Sequence, residues 1–204
     1  MTFSDQWQNE SDEIRQARTR AQSIGATVSS PTAASVLTVL AASVGARAAV
    51  EIGAGAGISG LHLLNGMADD AVLTTIDSDS ANQAAAKETF AAAGVESTRA
   101  RQITGDPAEV LPRLADGAYD IVVINSIADD PAAQLEQAQR VLREGGVLVV
   151  SGFLGDNGQV ADLAARDPRT MALRELGSSV KDNENLRVVL LPIDSGVLVA
   201  SKTA

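Results

Sequence analysis

The residues with the clearest chemical meaning form a glycine-rich run that follows an acidic side chain. An apolar stretch ends at Glu51, and Gly53, Gly55 and Gly57 then stand at alternate positions before apolar residues resume. Glycines at this spacing allow a tight turn and let a ligand approach without interference from Cβ atoms. A helix after the turn would point its free N–H groups at that ligand. The run therefore predicts a binding loop between a strand and a helix.

A second acidic side chain, Asp77, closes the next apolar run at 71–76. A carboxylate at the end of that strand can accept hydrogen bonds from both hydroxyls of a ribose. The order of strand, glycines, helix, strand and acid thus predicts an adenosine-type cofactor. Two glycine frames remain open at this point. The frame starting at Gly53 is typical of S-adenosylmethionine, whereas Gly55-x-Gly57-x-x-Gly60 also satisfies the dinucleotide pattern.

Composition limits the class of protein and its partners. A length of 204 residues suits one domain, which we predict over 1–204 with a helical extension over 1–24. The net charge of −10 argues against nucleic acid as a partner, and the lack of cysteine excludes disulfides and thiol chemistry. We find no signal pattern and no apolar run near the ~20 residues that span a membrane. We therefore expect a cytoplasmic protein with no membrane partner.

The elements that must hold the loop alternate along the chain. Strands are predicted near 47–52, 71–77, 98–103, 119–125 and 145–151, and helices near 31–44, 57–68, 80–93, 106–115 and 131–143. This alternation predicts an α/β fold with a mostly parallel sheet and helices on both faces. Two further strands, 186–193 and 196–201, are joined by only two residues, so they must form an antiparallel hairpin. A seven-stranded sheet of this kind is the class I methyltransferase, Rossmann-like arrangement. A dinucleotide fold would continue with a second βαβ half.

Six segments together resemble the catechol and caffeoyl-CoA type O-methyltransferases, O-methyltransferase family 3, from about 25 to 202. They are 50–59, 75–79, 105–108, 119–124, 145–149 and 190–198. The resemblance implies an S-adenosylmethionine-dependent enzyme acting on a small-molecule hydroxyl. It also implies a homodimer, because the family is commonly dimeric. An N-terminal apolar stripe on one helix face could lie on the body or on a partner chain; its residues are Trp7, Ile14, Ala17, Ala21 and Ile24.

The resemblance assigns each part of the cofactor to residues of this chain. The methionine end falls to Glu51, Gly53 and Gly55, with Ser59 at its carboxylate. The ribose falls to Asp77, and the adenine to Asp106 and Pro107. Val28 and Ser29 occupy the family's segment that folds over the cofactor, and Asn125 completes the predicted contacts. Asp106 also has an alternative role as a helix N-cap.

The metal site is where the chain departs from the family. After the fourth strand the family reads Phe-Ile-Asp-Ala-Asp-Lys, so Asn125 replaces a metal-binding Asp and Ala128 replaces the catalytic Lys. After the fifth strand, Ser151 replaces a second Asp and Gly152 replaces a ligating Asn. A hard divalent ion prefers several oxygen ligands that include carboxylates. We therefore expect no metal.

Transfer without a metal needs a base or an already acidic hydroxyl. Asp129 is the favoured candidate, because it follows the fourth strand at the edge where ligands of such sheets bind. His62 is a second candidate, although it lies within the helix after the glycine loop, where packing is common. Asp130 is typical of a helix cap, and Asp156 lies in a Gly-Asp-Asn-Gly turn.

Three functions stay open at this level. The leading one is a metal-independent O-methyltransferase, whose acceptor specificity we expect in loops around 125–131, 152–158 and 176–186. The second is an S-adenosylmethionine-binding protein with weak or no catalysis, favoured by the altered family positions. The third is a nicotinamide-linked oxidoreductase, which the C-terminal hairpin argues against.

Overall fold

A computed structural model describes residues 2–128, 130–155 and 158–203. One sheet of seven strands has the order β3-β2-β1-β4-β5-β7-β6. The strands are β1 Ala48–Ile52, β2 Val72–Asp77, β3 Ala100–Thr104, β4 Tyr119–Ile124, β5 Leu142–Ser151, β6 Leu186–Leu191 and β7 Val197–Lys202. Strands β1 to β5 pair in parallel, and β7 is antiparallel to both β5 and β6. This confirms the predicted class I methyltransferase fold with its C-terminal antiparallel hairpin.

Helices cover both faces of the sheet. Within the described ranges they are α1 Phe3–Trp7, α2 Asp12–Ile24, α3 Pro31–Ser43, α4 Ile58–Gly66, α5 Ser80–Ala92, α6 Pro107–Val110, α7 Pro131–Val141 and α8 Pro168–Asp182. Successive strand residues point to opposite faces, so Ala49 packs in one core with α2–α5 and Val50 packs in the other with α6–α8. None of the described helices is long and apolar enough to cross a bilayer.

The predicted helix starts agree with the cap geometry. The side chains of Ser30, Asp106 and Asp130 accept hydrogen bonds from backbone N–H groups two or three residues ahead, and a proline follows each of them. Such caps satisfy N–H groups that have no partner within the helix. The helix predicted over 106–115 is shorter than expected, because α6 ends at Val110 and a 3₁₀ turn continues to Arg113.

Two predictions about local structure are wrong. The N-terminal stripe does not lie on one helix: Ser11 caps a new helix after α1, so Ile14, Ala17 and Ala21 are buried while Trp7 remains 75% exposed. The region 176–186, predicted as a loop, is helical as far as Asp182. Its buried residues, Leu173, Leu176 and Val180, follow helical spacing and hold α8 against the sheet.

Candidate functional site

The glycine loop between β1 and α4 has a backbone shape that requires glycine. Gly53 and Gly57 have φ angles of +87° and +80°, in the left-handed region that side chains with a Cβ rarely adopt. A Cβ on Gly57 would lie 2.9 Å from the Cα of Ala86 on α5, and one on Gly53 would meet Ser126 at the same distance. The loop is therefore held closely between the ends of β1 and β4 and the middle of α5.

Asp77 organises this loop from the end of β2. Its Oδ2 accepts hydrogen bonds from the backbone N–H of Gly55 at 3.2 Å and from the side-chain amide of Asn82 at 3.1 Å. Its Oδ1 accepts from the backbone N–H of Asp79 at 2.9 Å. The side chain is 7% exposed and lines a cavity, so it can still reach a ligand.

Glu51 is fully buried beneath the loop. Its Oε1 accepts from the Ser59 hydroxyl and from the Asn125 amide, while Oε2 has no partner among the described residues. Burial raises the pKa of this carboxyl to about 8. The negative charge of Asp77 also raises this pKa, whereas the hydrogen bonds from Ser59 and Asn125 lower it. Glu51 is therefore protonated at neutral pH, and it contacts the cavity only through Ser59 and Asn125.

Asn125 and Ser151 occupy the positions where the resembled family holds its metal. The Asn125 amide nitrogen lies 3.0 Å from the Ser59 hydroxyl and 3.2 Å from the carbonyl of Gly53, and its Oδ1 accepts from the Ser151 hydroxyl at 2.9 Å. Gly152 offers no side chain. Within the described residues, no group of three or more His, Cys, Asp or Glu side chains could hold a metal ion.

Two cavities meet at Gly53 along the carboxyl edge of the parallel strands. The first, of about 350 Å³, includes the predicted contacts Val28, Gly53, Gly55, Ser59 and Asn125 in its lining. The second, of about 620 Å³, is lined by Gly53, Asp77, Asp106 and Pro107 together with residues of α7. Every predicted cofactor contact except Glu51 thus lines one of two adjoining cavities.

The segment before α3 covers the first cavity and is fastened by two charged residues that sequence reasoning missed. Arg18 of α2 donates to the carbonyl of Ser29 at 2.7 Å, while Glu10 accepts from its Nε at 2.8 Å. Asp194, in the β6–β7 turn, accepts from the N–H of Ser30 at 2.8 Å. The Ser29–Ser30 peptide group is therefore held on both sides, and both charged side chains line the cavity.

Of the predicted catalytic residues, His62 lies away from the two adjoining cavities. His62 lines neither of the two adjoining cavities but a separate one of about 370 Å³ between residues 8–11, α3 and α4. The Thr38 hydroxyl donates to the carbonyl of His62 at 2.8 Å, so the Nδ1 that lies 3.1 Å from this hydroxyl must carry the proton. Burial lowers the pKa of His62, which keeps the ring neutral.

Of the other candidate carboxylates, the structure describes only Asp130. Asp129 and Asp156 lie outside the described residues. Asp130 lines the second cavity, but its Oδ1 caps α7 by accepting from the N–H of Ala133 at 3.0 Å.

The sheet order, the glycine loop after β1 and the carboxylate that ends β2 together define a class I, Rossmann-like methyltransferase. Within this class the chain belongs to the O-methyltransferase family, whose sequence profile matches residues 3–203. A Mycolicibacterium smegmatis relative that carries the family's name is 45% identical over 188 residues, which cover 92% of this chain and 89% of the relative.

Two solved structures extend the comparison. A Corynebacterium glutamicum protein is 33% identical, with a TM-score of 0.90 over 98% of this chain and 94% of its own. The Streptomyces achromogenes O-methyltransferase TomG, involved in tomaymycin synthesis and determined in complex with S-adenosylmethionine, is 22% identical, with a TM-score of 0.86 over 100% of both chains. The second likeness supports the fold alone.

Proposed function

We propose that this chain transfers a methyl group from S-adenosylmethionine to a hydroxyl of a small molecule. The observation that carries the proposal is the pair of cavities that meet at Gly53, one beside Asp77 and the other beside Ser59 and Asn125. A nucleoside joined to an amino acid has this two-part shape. Membership of the O-methyltransferase family supports the reaction.

The donor set fits this co-substrate part by part. Asp77 offers carboxylate oxygens to the ribose hydroxyls, and Asp106 and Pro107 border the adenine end of the second cavity. The methionine end would lie over Gly53 and Gly55, where no Cβ intrudes. The remainder of the first cavity then receives the acceptor. The chain's contribution to the rate is to hold an acceptor oxygen in line with the methyl group.

We further propose that the reaction proceeds without the family's divalent metal. The side chains at the family's ligand positions are neutral, and the Asn125 carbonyl oxygen already accepts from Ser151. The carboxyl that Asn125 contacts, that of Glu51, is fully buried, and burial raises its pKa to about 8. A hard divalent ion at this place would lack the carboxylate oxygens it prefers.

Methyl transfer should therefore be insensitive to metal removal. We expect S-adenosylhomocysteine to bind with the same Kd in magnesium and in EDTA, and turnover on a panel of phenols to change less than about two-fold between the two conditions. Calorimetric titration and a coupled transfer assay measure both. If magnesium strongly stimulates turnover and EDTA abolishes that stimulation, the proposal that the reaction needs no metal is wrong, while the proposed methyl transfer stands. Tight binding with no transfer to any acceptor supports instead the binding protein without catalysis.

We also propose a homodimer formed through α1, and we keep the cytoplasmic location as a proposal from the sequence alone. Phe3 and Trp7 are 77% and 75% exposed, and their ring centroids lie 6.1 Å apart. Val39, on the neighbouring α3, is also exposed. Adjoining exposed aromatic and aliphatic side chains are typical of protein interfaces.

The dimer proposal predicts that the double variant Phe3→Ser, Trp7→Ser elutes with the mass of one chain, whereas the wild type elutes with the mass of two. Light scattering after gel filtration measures the masses. Leu163→Ser is the matched control, because Leu163 is equally exposed, at 78%, but lies in the segment before α8. A wild-type mass of one chain, or a double variant that remains dimeric, contradicts this interface.

A further inference from the structure

We propose that Asp194 is the catalytic base that takes the proton of the acceptor hydroxyl. This inference rests on the proposed methyl transfer and deepens it, because it names the residue that replaces the metal and lysine chemistry of the resembled family. Asp194 is not among the base candidates predicted from the sequence, which place it in the short hairpin link and in the 190–198 segment of the resemblance.

The β6–β7 turn fixes the position of Asp194 from several sides. Asp194 has a φ of +50°, the only positive value outside glycine among the described residues. Ser195 and Gly196 accept hydrogen bonds through their carbonyl oxygens from the N–H groups of Leu154 and Phe153 at 2.7 and 3.0 Å. Unusual backbone conformations that the surroundings enforce are frequent at functional sites. The turn is thus tied to the chain after β5.

One carboxylate oxygen remains available in this arrangement. Oδ2 accepts from the N–H of Ser30, whereas Oδ1 has no hydrogen-bond partner in the part of the chain that the structure describes. Asp194 is also the only carboxylate among the described residues that line the first cavity. Arg18 on the same cavity is paired with Glu10, at 2.6 Å between Nη2 and Oε1, rather than with Asp194.

The first cavity also brings Asp194 near the place proposed for the methyl donor. The same cavity of about 350 Å³ is lined by Gly53, Gly55 and Ser59 and by Asp194. A co-substrate whose methionine end covers the glycine loop would leave an acceptor between itself and the β6–β7 turn. The acceptor hydroxyl would then stand between the methyl group and the free Oδ1, which is the placement that a general base needs.

The proposed step moves one methyl group and one proton and needs no further reactant. A lone pair of the acceptor oxygen forms the O–CH₃ bond while the S–CH₃ bond breaks, and the electron pair of that bond stays on sulfur and neutralises the sulfonium. The hydroxyl proton passes to Oδ1 of Asp194. The products are a methyl ether and S-adenosylhomocysteine. Asp194 is exposed and returns the proton to solvent.

The test compares Asp194→Asn with the wild type on phenols of graded acidity. Asparagine keeps an oxygen for the Ser30 N–H and tolerates the left-handed conformation, so the fold and the Kd for S-adenosylhomocysteine should be retained. We expect kcat to fall roughly a hundred-fold for unsubstituted phenol. The loss should shrink to a few-fold for nitrophenols that are already ionised, since these need no base.

Each result supports or overturns the assignment. If kcat of Asp194→Asn falls equally on every phenol, the role of Asp194 is structural and the assignment is overturned. Unchanged turnover on weakly acidic phenols overturns the assignment too. Asp129→Asn and Asp156→Asn are measured in parallel, and an acidity-dependent loss in either of them, but not in Asp194→Asn, overturns it as well. A wild type that methylates no acceptor overturns the proposed function together with the base. If the wild type transfers methyl groups and Asp194→Asn keeps full activity, only the assignment of Asp194 as the base is overturned.

Discussion

Replacing Asp77 with alanine should weaken the binding of S-adenosylhomocysteine about a thousand-fold. Two hydrogen bonds from ribose hydroxyls to a carboxylate would be lost, and hydrogen bonds to charged groups contribute about 1.5–3 kcal/mol each. The variant also removes the acceptor for the Gly55 N–H, so the glycine loop loses one of its fixed points. Isothermal titration of the wild type and the variant gives the ratio of Kd values directly.

Asp79→Ser is the matched control for this measurement. Asp79 lies two residues further along and caps α5 by accepting from the N–H of Ala81 at 2.8 Å, a role that serine can keep. Its contact with Asp77 is made by its backbone N–H and survives the substitution. We expect the control to bind like the wild type. If Asp77→Ala binds within ten-fold of the wild type, the ribose does not lie at β2, and the assignment of the second cavity to adenosine is wrong.

The architecture was predictable because its signals are local. Alternating strand and helix patterns, caps such as Ser30 and Asp130, and the two-residue link at 194–195 each depend on neighbours along the chain. A parallel sheet with a final hairpin follows from them by topology. The sequence also carries local signals for α8, because Asp167 and Pro168 form a cap like those at Ser30 and Asp130 and Leu173, Leu176 and Val180 follow helical spacing.

The cover of the site was not predictable from the sequence. Asp194 meets Ser30 across 164 positions of the chain, and Arg18 meets Ser29 only because α2 folds back over the glycine loop. No local pattern distinguishes these side chains from other exposed charges. A partial signal existed for Asp194, because a residue that follows β6 shares the carboxyl edge once β6 is known to run in the same direction as β5.

At the family's metal positions, the sequence likewise shows which residues are present but not which contacts they make. The sequence shows that Asn125, Ser151 and Gly152 replace the family's ligands. It does not show that Asn125 and Ser151 join Ser59 and Glu51 in one hydrogen-bonded chain. Glu51 itself was predicted to line the methionine end. The structure buries it, because β1 is an interior strand between β2 and β4 and helices cover both of its faces.

That burial predicts a distinctive pH dependence of stability. The pKa of Glu51 is about 8 in the folded protein, against an ordinary 4.5. Between these values the folded protein binds a proton that the unfolded chain has lost, so the free energy of unfolding falls as pH rises through this window. At about 1.4 kcal/mol for each tenfold change in proton affinity, the total loss across this window is on the order of 5 kcal/mol.

Glu51→Gln should remove this contribution. Glutamine stays neutral and keeps a carbonyl oxygen for Ser59 and Asn125, so the variant should match the wild type near pH 5 and exceed its stability near pH 8. Denaturant unfolding at a series of pH values measures the difference. Glu88→Gln, which changes an exposed side chain on α5, is the control. A constant difference between Glu51→Gln and the wild type from pH 5 to pH 8 contradicts a protonated Glu51.

The same proton should report the arrival of the ligand. The ammonium group of S-adenosylhomocysteine, placed over Gly53 beside Asn125, would favour the carboxylate form of Glu51, because a nearby positive charge stabilises the ionised acid. Binding near pH 7 should then release up to one proton in the wild type and none in Glu51→Gln. Titrations in buffers with different ionisation enthalpies count the protons. Proton release in the wild type alone would show that Glu51, which lies behind the cavity wall, responds to the bound amino acid through Ser59 and Asn125. Equal proton release in both proteins would assign the proton to another residue.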